Sequence, residues 1–316
     1  MATHNLHVIF GAGPVGQATA RELVKAGASV RVVNRRGQAN VPVGVEVRAG
    51  DAADPAQARQ LAAGASVIYF CVNPPYHQWA ELFPPMHTAV LQAATAVGAK
   101  FVAMENLYAY GEVDRPMTED MPYNAHTKKG QVRAKMSQEL MAAQQRGEVR
   151  AVIARASDFY GAGVKDSALG GRVFEPLLAG KAAQIAGNPD VPHTYSYMED
   201  VGRALAILGR DDRADGQIWH IPNAPALTTR QIIQLAAEIS GVPPKFSSLG
   251  KLMLRLGGLF IPPAREMIEM MYEFEQPFVV DSSKFTRTFG VEATPYRDGL
   301  TKTIAWYKAQ VSAQGQ

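Results

Sequence analysis

The chain has 316 residues, of which 47% are hydrophobic and 19% charged, and its formal net charge is +3. This composition is typical of a globular protein with a buried core, and the small, dispersed charge argues against nucleic acid as a partner. Cys71 is the only cysteine, so we expect no disulfide within the chain and a cytoplasmic location. We also expect no signal peptide before the first strand and no membrane span, because the apolar stretch Leu252–Ile261 is short and interrupted by Arg255.

The first predicted strand runs into a glycine-rich turn spaced G-x-G-x-x-G, and a predicted helix follows over Val15–Lys25. In such a turn the first glycine permits a tight bend, the second lets the backbone approach a pyrophosphate, and the third lets the helix pack on the strand. The phosphates then lie at the positive N-terminal end of the helix. The segment therefore predicts a dinucleotide site, with phosphate contacts from Gly11, Gly13, Pro14, Val15 and Gly16.

The second predicted strand, Ser29–Asn34, is followed directly by Arg35 and Arg36. A carboxylate at its end would accept hydrogen bonds from an adenosine ribose and repel a 2′-phosphate, whereas guanidinium groups bind that phosphate. Asn34 with the two arginines thus favours NADP(H) over NAD(H). The alternative is that both arginines belong to a solvated loop.

Strands and helices continue to alternate through the first half of the chain. The near-continuous apolar run Val67–Val72 is typical of a strand buried in a parallel sheet, and Asn73 begins the loop after it. The other predicted strands are Val45–Val47, Lys100–Met104 and Arg150–Arg155, and the predicted helices begin at Asp54 or span Trp79–Val97 and Thr127–Arg146. This alternation predicts an α/β fold, a Rossmann-type doubly wound parallel sheet with helices on both faces.

Beyond Tyr160 the pattern becomes mixed. The predicted elements there are helices over Phe174–Ala179, Val201–Gly209, Thr229–Ser240, Glu266–Glu275 and Leu300–Lys308, and strands over Ala182–Ala186 and Gln217–Ile221. We predict a dinucleotide-binding Rossmann domain of residues 1–163 plus about 188–222. A smaller C-terminal substrate lobe would comprise about 164–187 and 223–316, with substrate bound between the lobes.

The order and spacing of several segments resemble the extended short-chain dehydrogenase/reductases, the NAD(P)-dependent epimerase/dehydratase group. Besides the glycine turn, the similar segments are Leu107–Gly111 (S-x-x-V-Y-G), Thr118–Pro122 (T-E-D-x-P), Arg155–Gly161 (R-x-x-N-x-Y-G) and His193–Leu205 (ending in V-x-D-x-x-x-A-L). The glycine spacing departs from the family's in having Phe10 at the usual first glycine. The resemblance implies adenine contacts near Asp51, and the predicted cofactor-binding set further includes Ala52, Cys71, Val72 and Asn73.

Members of this family carry a Ser or Thr and a Tyr-x-x-x-Lys pair, whose lysine lowers the tyrosine pKa and holds the ribose. Alignment places Asn106 at the Ser position, Gln131 at the Tyr position and Lys135 at the Lys position. Glutamine cannot exchange a proton in this role, so the chain resembles an atypical member. Asn106 can still donate a hydrogen bond to a carbonyl oxygen. Lys135 either clamps the nicotinamide ribose or is an ordinary exposed lysine.

Tyr108 is the preferred substitute acid/base, because it follows the strand that carries Asn106. The weaker candidates are Tyr110, Lys128, Lys129, Asp158, Tyr160, His193 and Tyr195. The histidines lack metal-ligand spacing, so no catalytic metal is expected, and no G-x-S-x-G elbow suggests a hydrolase.

These residues predict an NADP(H)-dependent oxidoreductase acting on a small carbonyl or alcohol. The alternatives are a sugar-nucleotide epimerase/dehydratase and a non-catalytic NADP-sensing regulatory protein. The expected partner is a small-molecule substrate, with no nucleic acid or membrane, and the family resemblance implies a homodimer through Trp79–Val97 and Thr127–Arg146. The Leu252–Ile261 stretch and the methionines Met267, Met270 and Met271 either line an apolar pocket or, as we favour, pack in the core.

Overall fold

A computed structural model describes residues 5–250 and 268–314, with side chains as far as residue 310. The Leu252–Ile261 stretch, Met267 and the start of the helix predicted at Glu266–Glu275 lie outside the described residues. The chain divides into two compact units. Unit one comprises residues up to 111, 122–156 and 201–221, and unit two comprises 112–121, 157–200 and the residues from 222 onward.

The described residues form strands and α-helices with the following bounds. The strands are β1 Leu6–Phe10, β2 Ser29–Asn34, β3 Glu46–Ala49, β4 Ala65–Phe70, β5 Lys100–Glu105, β6 Ala151–Arg155, β7 Asp158–Tyr160, β8 Ala183–Ala186, β9 Pro192–His193, β10 Tyr195–Tyr197, β11 Gln217–His220, β12 Leu227–Thr228 and β13 Phe246–Leu249. The α-helices are α1 Pro14–Lys25, α2 Pro55–Ala62, α3 Trp79–Val97, α4 Lys128–Gln145, α5 Gly171–Leu178, α6 Met198–Arg210, α7 Thr229–Ser240, α8 Tyr272–Glu275, α9 Ser283–Phe289 and α10 Tyr296–Gln314.

Unit one is built on a seven-stranded sheet in the order β11-β6-β5-β4-β1-β2-β3, and every pair of neighbours is parallel. The strand order reverses between β1 and β4, where parallel α/β sheets bind ligands at the carboxyl ends of their strands. The predicted doubly wound Rossmann-type sheet is thereby confirmed.

Local sequence signals set the helix ends of unit one. The Asp54 side chain accepts hydrogen bonds from the backbone N–H groups of Ala56 and Gln57, and Pro55 occupies the first position of α2. Helix α3 ends at Gly98, whose φ of +69° is accessible to glycine at little cost. The start of α2 and the bounds of α3 agree with the prediction.

Strand bounds differ more from the prediction. Strand β4 ends at Phe70, two residues before the end of the predicted run, and Cys71 continues in the loop with its N–H bonded to the carbonyl of Phe10. An apolar run shows that residues are buried, but it does not show where a strand ends, because buried loop residues beside the sheet are apolar as well.

Unit two is a mixed assembly of short strands and helices. In its described part, two-stranded sheets pair β10 with β7, β12 with β9 and β13 with β8. Its core consists of apolar residues with a group of buried tyrosines: Tyr160, Tyr195, Tyr197, Tyr296 and Tyr307. Residues 112–121, 157–163 and 188–200, which we assigned to the Rossmann domain, fall in unit two. Strands β7 and β10 pair with each other rather than with the main sheet, and Met117 pairs with Val280 of unit two.

Within the described residues, no helix is both long and apolar enough to cross a membrane. In the same part of the chain no group of three or more His, Cys, Asp or Glu side chains is placed to hold a metal ion.

Two of the buried histidines of unit one, His7 and His87, should make its stability depend on pH. Burial, with a nearby arginine as the smaller cause, lowers the pKa of His7 and of His87 from 6.5 to about 4. Both folded-state pKa values lie below the unfolded value, so their contribution is present above pH 6.5 and is lost as the pH falls towards 4. Neither ring nitrogen of His87 has a hydrogen-bond partner among the described residues, and its ring packs edge-on against Phe70 and Phe101.

We therefore expect His87→Leu to reduce the loss of unfolding free energy between pH 6.5 and 4, measured by urea denaturation at several pH values. The substitution of the exposed His126 by leucine is the control, and it should leave the loss of unfolding free energy between pH 6.5 and 4 unchanged. If His87→Leu lost as much unfolding free energy between pH 6.5 and 4 as the wild type, His87 would not be buried as a neutral ring.

Candidate cofactor and active site

The β1–α1 turn requires glycine at two positions for different reasons. Gly11 has a φ of +113°, and a Cβ on it would overlap the carbonyl of Cys71. A Cβ on Gly16 would overlap the carbonyl oxygen of Gly11, so helix and strand approach as closely as the chain permits. The Gln17 side chain donates to the carbonyl oxygen of Ala12 at 2.8 Å and holds the turn.

Gly13 differs from both, because a Cβ built on it would meet nothing within 4 Å. It is the N-cap of α1 and supplies no side-chain acceptor to the first N–H groups of the helix, while Pro14 occupies the first turn. The positive end of α1 thus lacks a side-chain cap, and the space beside Gly13 is open. This arrangement fits a dinucleotide pyrophosphate, and residues Gly11 to Gly16 would hold it.

The end of β2 forms a short polar loop organised by Asn34. Its Oδ1 accepts the backbone N–H of Arg36 at 2.8 Å, and its Nδ2 donates to the carbonyl of Gln38 at 3.0 Å. Arg35 and Arg36 are exposed, and neither guanidinium pairs with an acidic side chain in the described part of the chain. The loop therefore presents two positive charges that form no ion pair among the described residues.

The other residues predicted to bind cofactor lie after β3 and β4. The Asp51 carboxylate accepts the backbone N–H of Ala53 at 2.9 Å, and Ala52 is buried. Cys71 is also buried, which raises the pKa of its thiol to about 12, so it is no reactive thiolate. Val72 is half-buried and Asn73 exposed.

Asn106 follows β5 and shapes the turn that carries Tyr108. Its Oδ1 accepts the backbone N–H of Tyr108 at 3.1 Å, which leaves the amide NH2 group as the donor. The half-buried Tyr108 ring lies 5.9 Å from the ring of Trp79. Tyr110 is fully buried, and its hydroxyl lies 2.9 Å from Nε2 of His220, so it is not an accessible acid/base.

Helix α4 places Gln131 and Lys135 one turn apart on an exposed face. The Lys135 side chain is 72% exposed, and its Nζ lies 3.8 Å from the Glu139 carboxylate, a contact worth little in water. The opposite face carries the buried Lys129 and Arg133. Gln131 and Lys135 thus share a helix face, as the family's pair does, and the ammonium remains accessible.

A buried charged network beneath α4 was missed at the sequence level. Arg133 Nη1 lies 3.2 Å from the Glu105 carboxylate, and its guanidinium stacks on Trp79 and Phe83. Burial raises the pKa of Glu105, while the neighbouring arginines act in the opposite direction. The sequence places the carboxylate of Glu105 directly after the apolar run of β5, and a buried charge there requires a partner. This position was the signal from which the network could have been predicted.

In unit two, Asp158 and His193 form a hydrogen-bonded pair, with Asp158 Oδ2 2.9 Å from His193 Nε2. The other ring nitrogen lies 3.1 Å from the carbonyl oxygen of Glu273. Tyr160 and Tyr195 are buried, and burial raises the pKa of both hydroxyls, which makes them poor proton donors or acceptors. The structure thus brings Asp158 and His193 together but encloses the two tyrosines.

Residues 8–221 match the model of the NAD dependent epimerase/dehydratase family. The chain belongs to this family. The family consists of NAD-dependent enzymes, so the predicted family and enzyme class are confirmed. Among curated proteins, a trifunctional UDP-glucose 4,6-dehydratase/UDP-4-keto-6-deoxy-D-glucose 3,5-epimerase/UDP-4-keto-L-rhamnose-reductase of Arabidopsis thaliana is 25% identical over 130 residues, which are 41% of this chain and 17% of that protein.

Solved structures of the same fold include a UDP-glucose 4-epimerase of Thermus thermophilus in complex with NAD (TM-score 0.78, 17% identity, 96% of this chain and 99% of that one). A UDP-glucuronic acid 4-epimerase of Bacillus cereus in complex with NAD has a TM-score of 0.79 and 16% identity, again over 96% and 99% of the two chains. At these identities the likeness establishes the fold.

Two alanine substitutions should separate the binding role of the turn from its structural role. Gly13→Ala has room for its Cβ, so we expect an unchanged melting temperature but at least about tenfold weaker NAD(P)H binding, because the methyl group occupies the pyrophosphate position. Gly16→Ala should lower the melting temperature as well, because its Cβ overlaps backbone. Thermal unfolding and fluorescence titration measure both effects, and equal destabilisation by the two variants would contradict this assignment.

Proposed function

We propose that the protein is a cytosolic NADP(H)-dependent oxidoreductase of the extended short-chain dehydrogenase/reductase type, acting on a small carbonyl or alcohol. The loop after β2 supports the preference for NADP(H) over NAD(H). Asn34 stands at its start instead of a carboxylate, and Arg35 and Arg36 follow with exposed guanidinium groups. Such groups match a 2′-phosphate in charge and in hydrogen-bond geometry.

When bound, the nicotinamide supplies or accepts the hydride. The residues of the chain then have to orient the substrate and polarise its oxygen. In this proposal the Asn106 amide donates a hydrogen bond to that oxygen, which it is free to do because its own oxygen is engaged by Tyr108 N–H. Lys135 holds the ribose, and Gln131 adds a neutral hydrogen-bonding group. The half-buried Tyr108 is the proposed proton donor among these four residues.

The two alternative functions are a sugar-nucleotide epimerase/dehydratase and a non-catalytic NADP-sensing regulatory protein. The similar structures of a UDP-glucose 4-epimerase and a UDP-glucuronic acid 4-epimerase support a UDP-sugar substrate. The missing tyrosine instead supports a regulatory protein that binds NADP without turnover. We favour simple carbonyl reduction, because epimerisation requires efficient proton transfer in both directions and Gln131 cannot provide it.

The cofactor choice is tested by titrating NADPH and NADH against the wild type and the double variant Arg35→Ala/Arg36→Ala. We expect NADPH affinity to fall about 10- to 100-fold, since charged hydrogen bonds to the phosphate are lost, and NADH affinity to stay within a factor of about two. Arg59→Ala, another exposed arginine of unit one, is the matched control. Equal wild-type affinity for the two cofactors would make the arginines a solvated loop and overturn the preference.

The role of Asn106 is tested with two variants that separate its two hydrogen-bonding groups. Asn106→Ala loses both groups, whereas Asn106→Asp keeps an oxygen for Tyr108 N–H and loses the donor. We expect both variants to reduce kcat for NADPH-dependent carbonyl reduction about 100-fold without changing NADPH affinity, and only the alanine variant to lose stability. Full activity in Asn106→Asp would exclude the amide as the polarising donor. If the wild type turned over none of a broad panel of carbonyl compounds, the result would favour the non-catalytic, NADP-sensing regulatory protein.

A further inference from the structure

The loop after β2 lies directly beside the glycine turn. The backbone N–H of Gly11 donates to the carbonyl oxygen of Val33 at 2.9 Å, and Asn34 is the next residue. In parallel sheets of this strand order, the turn after the first strand holds the pyrophosphate, and the end of the second strand faces the adenosine ribose. Asn34 and the two arginines after it therefore lie at the ribose end of the proposed dinucleotide site.

Arg35 and Arg36 are the two central residues of a β-turn. The backbone N–H of Gly37 donates to the carbonyl oxygen of Asn34 at 3.3 Å and closes the turn, and the same oxygen accepts the N–H of Gly50 at 3.0 Å. Among the described residues only glycines have a positive φ, so both arginines have the negative φ that a type I turn requires. Asparagine before the central pair and glycine after it are residues that such a turn favours.

The side chain of Asn34 makes two further hydrogen bonds, and both are to this loop. Its Oδ1 accepts the N–H of Arg36, and its Nδ2 donates to the carbonyl oxygen of Gln38. The first partner can only donate and the second can only accept, so an amide in this orientation satisfies both. A carboxylate would keep the bond to Arg36 but would set a second acceptor against the Gln38 carbonyl. The loop itself therefore accounts for an asparagine at this position, without any contact to the ribose.

Gly37 allows the turn to rest on the end of β3. Its φ is +63°, and a Cβ on it would lie 3.1 Å from the Cβ of Ala49, which is the partner of Asn34 in the pairing of β2 with β3. The bonds of Asn34 and this contact hold the backbone on both sides of the two arginines, while the arginine side chains are exposed. A backbone that is fixed in advance reduces the entropy lost when a ligand orders such side chains.

We propose that Asn34 is the positioning residue of the phosphate-binding arginines and does not itself bind the ribose. It fixes the turn from which Arg35 and Arg36 extend, so it favours NADP(H) through these arginines and not through a contact of its own. The inference rests on the proposed function, because it requires that the arginines bind the 2′-phosphate. It replaces the role that the sequence predicts for Asn34, which is a direct cofactor contact.

The test is a double-mutant cycle in cofactor affinity, which requires no turnover. NADPH and NADH are titrated against the full chain, Asn34→Ala, Arg35→Ala/Arg36→Ala and the triple variant that combines these substitutions. We expect Asn34→Ala to weaken NADPH binding about five- to tenfold, because the cofactor must then order the turn, and to change NADH binding less than about twofold. In the triple variant, Asn34→Ala should add less than about twofold to the loss caused by the arginine substitutions, since it acts through them.

A conservative variant tests the hydrogen bond to Arg36 by itself. In Asn34→Ser the hydroxyl can accept the Arg36 N–H from the same turn position, although it is too short to reach the Gln38 carbonyl. We expect its NADPH affinity to lie between those of the wild type and Asn34→Ala. An affinity for NADPH no higher than that of Asn34→Ala would contradict the role given to this bond.

Asn188→Ala is the matched control, because the Oδ1 of Asn188 accepts the N–H of Asp190, again two residues further on, at 2.9 Å in unit two. It should leave both affinities unchanged, and melting temperatures show that each variant is folded. Equal weakening of NADPH and NADH by Asn34→Ala would indicate a ribose contact and overturn the inference. Unchanged NADPH affinity in Asn34→Ala, or losses that add in full in the triple variant, would overturn it as well. Failure of the proposed function differs from these outcomes, since the wild type itself would then show no preference for NADPH.

Discussion

The contact on which unit one depends is the one between helix α1 and strand β1 at the glycine turn. Because Gly16 lies directly over the carbonyl of Gly11, and Gly11 lies against the carbonyl of Cys71, three backbone segments meet without intervening side chains. This contact fixes where α1 begins relative to the ends of β1 and β4. The open space at Gly13 exists because the two neighbouring glycines hold the backbone around it.

Charges in the two units are arranged in opposite ways. The loop after β2 presents guanidinium groups that have no acidic partner in the described chain, whereas the Asp158 carboxylate of unit two is bonded to His193. In unit one, by contrast, Arg133 and Glu105 form a buried ion pair, and the Arg133 guanidinium also stacks on Phe83.

The sequence predicted the Rossmann sheet and several helices almost to the residue, because strong local signals coincide there: Asp54-Pro55 at a helix start, glycines at turns and apolar periodicity between them. It did not predict the two- and three-residue strands of unit two, which are too short to show a period and depend on tertiary pairing. Likewise, the pairing of Asp158 with His193 joins positions 35 residues apart, and no spacing in the sequence indicates it. Tyr110 appeared suitable for chemistry from its place after β5, and only the fold shows that it is buried against His220.

The division of the chain has a consequence for its synthesis. Unit one is assembled from three separate segments, and its edge strand β11, Gln217–His220, is made only after about two-thirds of the chain. Until then the backbone edge of β6 lacks the neighbour with which it pairs in the finished sheet. On the ribosome, the Rossmann sheet therefore passes through a period with an open edge, and neither unit can be produced by simple truncation of the gene.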